Sequence, residues 1–397
     1  MIGAVLLAGC SQDDVALEVT PEEPVALNFC ITEAETNYTD GSTRAGQTAS
    51  TRAGHTGAMN SEDLYTTGFG IFASVTADKK PDLMFNQEVT YTHVGDMENL
   101  TDGYWTYSPL KYWPADRSHF YISAYAPYQD YPLVPDAEET GIIGIANNTV
   151  TPYVDYRRCE QPNEVVDLLW FYDEPATIPA ASAGYAAGTL RMKMRHALTR
   201  LEINVKLASA PAEGTKVLID SIALTGTMAK TGRLSLSTQE TEGEGLEKKY
   251  YPVWSDQTND KDGGGDDTPH TFVIDNDDNN ALSYGIIDPQ VRYIKGLPYA
   301  WQPDGLKADD PLTPAVDEGL QNALSTGDRK TYIYLIPQGA PLNLTVKVRY
   351  HKMTSGSDEM RIKTTTEAST AIGSPVGSPT VLRGNTTYSL NLTLSDI

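Results

Sequence analysis

Residues 201–207 read Leu201-Glu202-Ile203-Asn204-Val205-Lys206-Leu207, with apolar and polar side chains in strict alternation. Successive side chains of an extended strand point to opposite faces, so a period of two marks a half-buried β-strand; a helix would repeat its apolar positions every three or four residues. The pattern recurs outward on both sides, at 69–75 (FGIFASV), 121–125 (YISAY), 217–224 (VLIDSIAL), 332–336 (YIYLI) and 342–350 (LNLTVKVRY). A further strand is expected at 25–31 (VALNFCI). Helical spacing is nearly absent, with two short candidates at 163–170 and 316–324. Tyrosine is common, 23 against 7 Phe, and 24 Pro and 32 Gly supply frequent turns. Many short strands cut by such turns predict an all-β chain built of sandwiches, each closing two apolar sheet faces over each other.

Length and charge narrow the function. A chain of 397 residues has room for two or three domains. Against 53 Asp and Glu it carries 30 Lys and Arg, a formal net charge of -23 that repels nucleic acid and anionic lipid surfaces. Nucleic acid is therefore excluded as a partner. Cys10, Cys30 and Cys159 are the three cysteines; we read the last two as separate buried thiols rather than one disulfide. No GxSxG, HExxH, CxxC, P-loop or GxGxxG occurs, and the six histidines are scattered. The chain is thus not expected to be an enzyme or to hold a cofactor or metal. His196, with no second histidine at ligand spacing, reads as structural.

The N-terminal run is apolar from Ile2 to Gly9 and ends at Cys10, before Ser11-Gln12-Asp13-Asp14. Eight residues are too few to cross a bilayer, which takes about 20, but they suit a signal-peptide core. Leu7-Ala8-Gly9-Cys10 resembles a bacterial lipobox, in which the cysteine carries lipid and becomes the first mature residue. No Lys or Arg precedes it, which points to a start further upstream. An acidic stretch follows to residue 24. Beyond the first strand, 36–60 (TNYTDGSTRAGQTASTRAGHTGAMN) has almost no large apolar side chain and contains STRAG twice, with Arg44 and Arg52. It can bury nothing and is expected to be an exposed loop.

The small-residue stretch 175–189 (PATIPAASAGYAAGT) separates two strand-rich halves. This suggests a leader at 1–10, a tether at 11–24, an N-terminal sandwich at 25–182 and a C-terminal sandwich at 183–397. The acidic run 255–280 lacks the EF-hand order and reads as a solvated insertion.

Trp105-Thr106-Tyr107-Ser108-Pro109-Leu110-Lys111-Tyr112-Trp113-Pro114, then 120–127 (FYISAYAP), resembles the signature of fimbrillin-like proteins of Bacteroidales bacteria. Residues 194–203 (MRHALTRLEI) resemble that family's His-Ala-Leu strand, and 384–394 (GNTTYSLNLTL) its closing strand. The motif's aromatic residues read as core pieces, with sugar stacking on Trp105 or Trp113 as the rival. The resemblance implies a pair of transthyretin-like Greek-key β-sandwiches in tandem, made as an outer-membrane lipoprotein precursor anchored through Cys10. It implies an arginine-specific protease that cuts after Arg44 or Arg52, release of the strand near 25–31, and filling of the opened groove by a strand of another pilin subunit. The C-terminal run from Thr386 to Ile397 is the implied donor, with Tyr388, Leu390, Leu392 and Leu394 on one face, unless it completes its own domain. The other reading is a free-standing or pilus-anchor surface lipoprotein that binds glycan or a host protein.

Overall fold

The computed structural model describes residues 24–35, 59, 61–94, 103–136, 139–159, 165–207, 216–258, 270–275, 291–293, 332–338, 345–366 and 382–394, with breaks at 117, 183–184, 227, 245–247 and 355–356. Its elements are β1 (Asn28–Glu35), α1 (Ser61–Thr67), β2 (Phe69–Ser74), β3 (Met84–His93), β4 (Gly103–Thr106), β5 (Tyr121–Ala126), β6 (Gly141–Ile145), β7 (Tyr153–Arg157), β8 (Leu169–Asp173) and β9 (Thr189–His196). There follow β10 (Thr199–Leu207), β11 (Lys216–Gly226), β12 (Thr231–Glu242), β13 (Lys249–Thr258), β14 (His270–Asp275), β15 (Val291–Tyr293), β16 (Tyr332–Leu335), β17 (Thr345–Thr354), β18 (Ser357–Thr366) and β19 (Thr386–Leu394). The chain is all-β.

Four sheets carry these strands. The largest has the order β1-β9-β8-β5-β2-β3-β4, and a second runs β13-β12-β7-β6. Two more, β16-β10-β19 and β14-β11-β17-β18 with β15 beside β11, belong to the C-terminal part. The alternation in the middle of the large sheet is real, but both sets of side chains are buried. From β2, β5 and β8, the side chains of Phe69, Ile71, Ile122, Ala124, Leu169 and Phe171 enter one core. Those of Phe72, Tyr125, Trp170 and Tyr172 enter a second core. The second core is closed by Val154, Tyr156, Leu234 and Leu236 of the four-stranded sheet, so the two sheets pack face to face. A strand expected to have one buried face therefore has two, because a second layer covers the other side. On the inner side the large sheet curls, bringing its first and last strands, β1 and β4, close together around the first core.

The sheets do not part at residue 182. β9 pairs with β8 and β1, and β12 pairs antiparallel with β7, Leu234 opposite Val154. Tyr334 and Ile336 also reach into the second core. Within the small-residue stretch 175–189, Ser182 and Tyr185 are bridged to each other.

Local expectations fare differently. The helix expected at 163–170 is absent from the described part: Val165–Leu168 lead extended into β8, whose first residue is Leu169. The 316–324 candidate lies outside the described residues. A helix does form at Ser61–Thr67, too short for a periodicity to register; it buries Leu64 and stops at Gly68, whose φ of 62° and N–H to the Leu64 carbonyl make a left-handed cap. The acidic run 255–280 is not wholly an insertion, since β13 continues to Thr258 and β14 pairs with β11. Cys30 and Cys159 are not joined in a disulfide; Cys159 is buried as expected, whereas Cys30 is only half-buried.

Candidate functional site

The first strand sits in a seat made by the aromatic motif and the turn before β9. β1 lies along β9 in parallel, from Asn28 opposite Thr189 to Glu35 opposite Arg195, with one bulge after Ile31. Ahead of β1, Ala26 bridges antiparallel to Tyr112. Leu27 N–H donates to the Lys111 carbonyl (2.9 Å), Trp113 N–H donates to the Val25 carbonyl (2.9 Å), and Asn28 N–H donates to the Gly188 carbonyl (3.1 Å). The strand is therefore stitched on both edges at once, by the motif on one side and the β9 line on the other.

Side chains complete the seat. Leu27 (0% exposed) and Phe29 (5%) point into the first core, two residues apart as the pleat requires. Tyr107 packs its ring on Phe29 at 5.3 Å, and its hydroxyl donates to the Leu27 carbonyl at 2.6 Å while accepting from Lys111 N–H at 3.2 Å. Burial pushes the Tyr107 phenol above its ordinary pKa, so it keeps the proton this contact needs. Trp113 packs edge-on to Phe120 at 5.3 Å, and its indole N–H donates to the Gly188 carbonyl at 2.8 Å. Each of these hydrogen bonds contributes about 1 kcal/mol net, and burial of Leu27 or Phe29 about 1.5–3 kcal/mol. Trp113→Phe keeps most of the packing and removes the donor; it is expected to cost about 1 kcal/mol in a denaturant titration, and Trp113→Ala about 3–5 kcal/mol.

Gly188 is the point of closest approach. Its φ is +80°, and a Cβ placed there would stand 2.3 Å from the Ala26 carbonyl oxygen, 2.6 Å from Val25 Cγ1 and 3.0 Å from Trp113 Nε1. Only glycine lets the first strand pass. The sequence reading missed this residue inside a stretch of small side chains; the available signal was a lone Gly directly before a strand.

The other sequence candidates fall as follows. Trp113 is 6% exposed and offers no open ring face to a sugar. Trp105, half-buried on β4, packs on Phe69 at 4.9 Å, Tyr91 at 5.0 Å and Tyr65 at 5.8 Å. Both tryptophans are parts of the first core. Cys10, Arg44 and Arg52 lie outside the described residues. Tyr388 is buried at 7%, and its hydroxyl accepts from Arg383 N–H at 3.2 Å. The positions of Leu390, Leu392 and Leu394 are given by register alone: β19 runs parallel to β10, with Tyr388 opposite Leu201, Leu390 opposite Ile203, Leu392 opposite Val205 and Leu394 opposite Leu207. In this structure the C-terminal strand pairs within its own chain.

Comparison with known proteins bears on the same residues. A sequence model of the fimbrillin-like family matches residues 51–261, more than half of the chain and across residue 182. The fimbrium subunit Fim1C of Phocaeicola vulgatus is 25% identical over 235 residues, covering 56% of this chain and 55% of that protein, so the match spans about half the length of this relative. Among solved structures, a fimbrial protein from Bacteroides vulgatus aligns over 94% of this chain and 95% of its own at 15% identity and a TM-score of 0.47. A candidate cell adhesion protein from Parabacteroides distasonis aligns over 94% and 88% at 10% identity and a TM-score of 0.37. The fold described above rests on strand order and packing, not on these distant likenesses. With its aromatic motif built into the seat of the first strand and more than half its length matched, the chain belongs to the fimbrillin-like family, which is fimbrial rather than enzymatic.

Proposed function

We propose that the chain is a structural or adhesive subunit of a cell-surface fimbria, exported as an outer-membrane lipoprotein through Cys10, cut after Arg44 or Arg52, and assembled by strand exchange between subunits. In this reading the tandem sandwiches are transthyretin-like, and the first strand plugs the N-terminal one until proteolysis releases it.

One observation carries the reading. Residues 26–31 read ALNFCI and residues 389–394 read SLNLTL: a small residue, Leu, Asn, a large apolar residue, a small or polar residue, and a large apolar residue. Residues 28–31 of the first segment pair in parallel with β9, and the second segment pairs in parallel with β10. These two strands are consecutive, separated only by residues 197–198. The strand that would leave and the strand that would be donated thus have the same pattern and use equivalent neighbours. Loss of β1 would uncover the β9 edge and the places of Leu27 and Phe29, which a strand of matching pattern refills by backbone pairing and side-chain fit.

Treatment of the full precursor with an arginine-specific protease, followed by intact-mass measurement and gel analysis without boiling, tests this. Cleavage after Arg44 or Arg52 with SDS-resistant multimers is expected, and Arg44→Ala/Arg52→Ala together should abolish both. A clean cut with no multimers would point to a tip subunit. No cut in the native protein would overturn the processing step in favour of an anchor or free-standing lipoprotein that binds glycan or a host protein.

A further inference from the structure

The chain is pinned again just before α1. Against the expectation that 36–60 buries nothing, Met59 at its end is fully buried in the first core, and its N–H donates to Asp167 Oδ2 at 3.0 Å. The same oxygen lies 2.5 Å from His196 Nδ1, while Asp167 Oδ1 accepts the Leu168 N–H at 2.9 Å. Both side chains of the pair are 0% exposed. A carboxylate taken out of water is tolerated only with such partners, and a backbone N–H held by one is held strongly. The location is as telling as the bond. The β1 ladder on β9 ends with Glu35 opposite Arg195, and His196 is the next residue of β9. The chain therefore leaves β1 beside Arg195 and is caught again, 24 residues later at Met59, through the pair formed by His196.

We propose that Asp167, oriented by His196, is a positioning site that fixes the chain at Met59, so that a cut at Arg44 or Arg52 frees β1 while everything from Met59 onward stays seated. Asp167 then sets where the ordered part of the processed subunit begins. The inference rests on the processing reading for what is cut, but not for what is held. Nothing in the strand-exchange scheme requires a carboxylate and a histidine buried together beside Met59, and holding that amide gives the pair its role. It also keeps α1 and Leu64 on the core once the neighbouring strand is gone.

The test is amide hydrogen exchange by mass spectrometry with residue-level fragmentation, on the full precursor before and after the arginine-specific cut. The Met59 amide is expected to exchange slowly in both, while amides at 25–31 become fast after the cut. Asp167→Leu should speed exchange at Met59 about 10- to 100-fold, the loss of one hydrogen bond to a charged acceptor. Asp167→Asn, which keeps an acceptor oxygen, should restore part of the protection. A wild-type Met59 amide that exchanges like a free peptide after the cut overturns the proposal, whether or not the variants fold. So does unchanged protection in Asp167→Leu. If instead 25–31 stays slow after a complete cut, strand release fails and the hold at Met59 is still read from the same spectra.

Discussion

In the uncut precursor, Leu27→Asp is expected to unseat the first strand with no protease present. The side chain at this position is fully buried among apolar neighbours of the first core. Replacing it removes about 1.5–3 kcal/mol of burial and would place a carboxylate among the apolar side chains of the first core, a cost of several kcal/mol more. The seat opposes this with a handful of hydrogen bonds of about 1 kcal/mol net each, among them Leu27 N–H to Lys111 and Tyr107 Oη to the Leu27 carbonyl. The penalty exceeds what these local bonds return, and β1, at the end of its sheet's strand order, can leave without breaking the pairings of β9, β8 and β5. Hydrogen exchange should therefore report fast amides at 25–31, with β5 and β8 still protected, and a dye that reports exposed apolar surface should bind. Added peptide 386–397 should quench that dye signal if the vacated seat accepts a strand of matching pattern. Protected amides at 25–31 in this variant would show that the first strand is not held by the pocket described here.

Gly188→Val should have a comparable effect from the other side of the seat. A β-branched residue at a φ of +80° is strained, by about 1–2 kcal/mol for the left-handed conformation alone. The new Cβ would also overlap the Ala26 carbonyl and crowd Trp113 Nε1. Relief requires moving the first strand or the indole, and either movement breaks bonds to the Gly188 carbonyl. A loss of about 3–4 kcal/mol in denaturant midpoint analysis is expected, with the fastest-exchanging new amides at 25–31. Ala187→Val, one residue earlier and exposed, should stay within about 0.5 kcal/mol of the parent. Equal stability of the two variants would mean that the first strand does not thread past Gly188.

How much of this was legible follows from the range of each signal. Alternation at 201–207, 121–125 and 69–75 reports a strand because it depends only on how one segment meets one buried surface. The aromatic motif could be read as core for a similar reason, since WTYSPLKYWP has more ring surface than a solvated loop would keep. What 105–113 packs against was not legible: the Lys111 carbonyl, the Tyr107 hydroxyl and the Trp113 indole all serve backbone some 75–84 residues away in sequence. The buried pair behind Met59 was equally hidden, because Asp167 looks like one acid among 53 until residue 59 arrives 108 positions from it in sequence.

The sequence by itself determined that the chain is all-β, that a strand lies near 25–31, and which family its motifs resemble, because strand period and motif order are carried within short segments. Tertiary structure alone decided that β2, β5 and β8 are covered on both faces, that β9 and β12 join sheets across residue 182, that one glycine lets the first strand pass and that one buried carboxylate holds Met59. Partner choice between strands is settled by contacts across a hundred residues, where each segment is compatible with several neighbours, and only the packed whole selects among them.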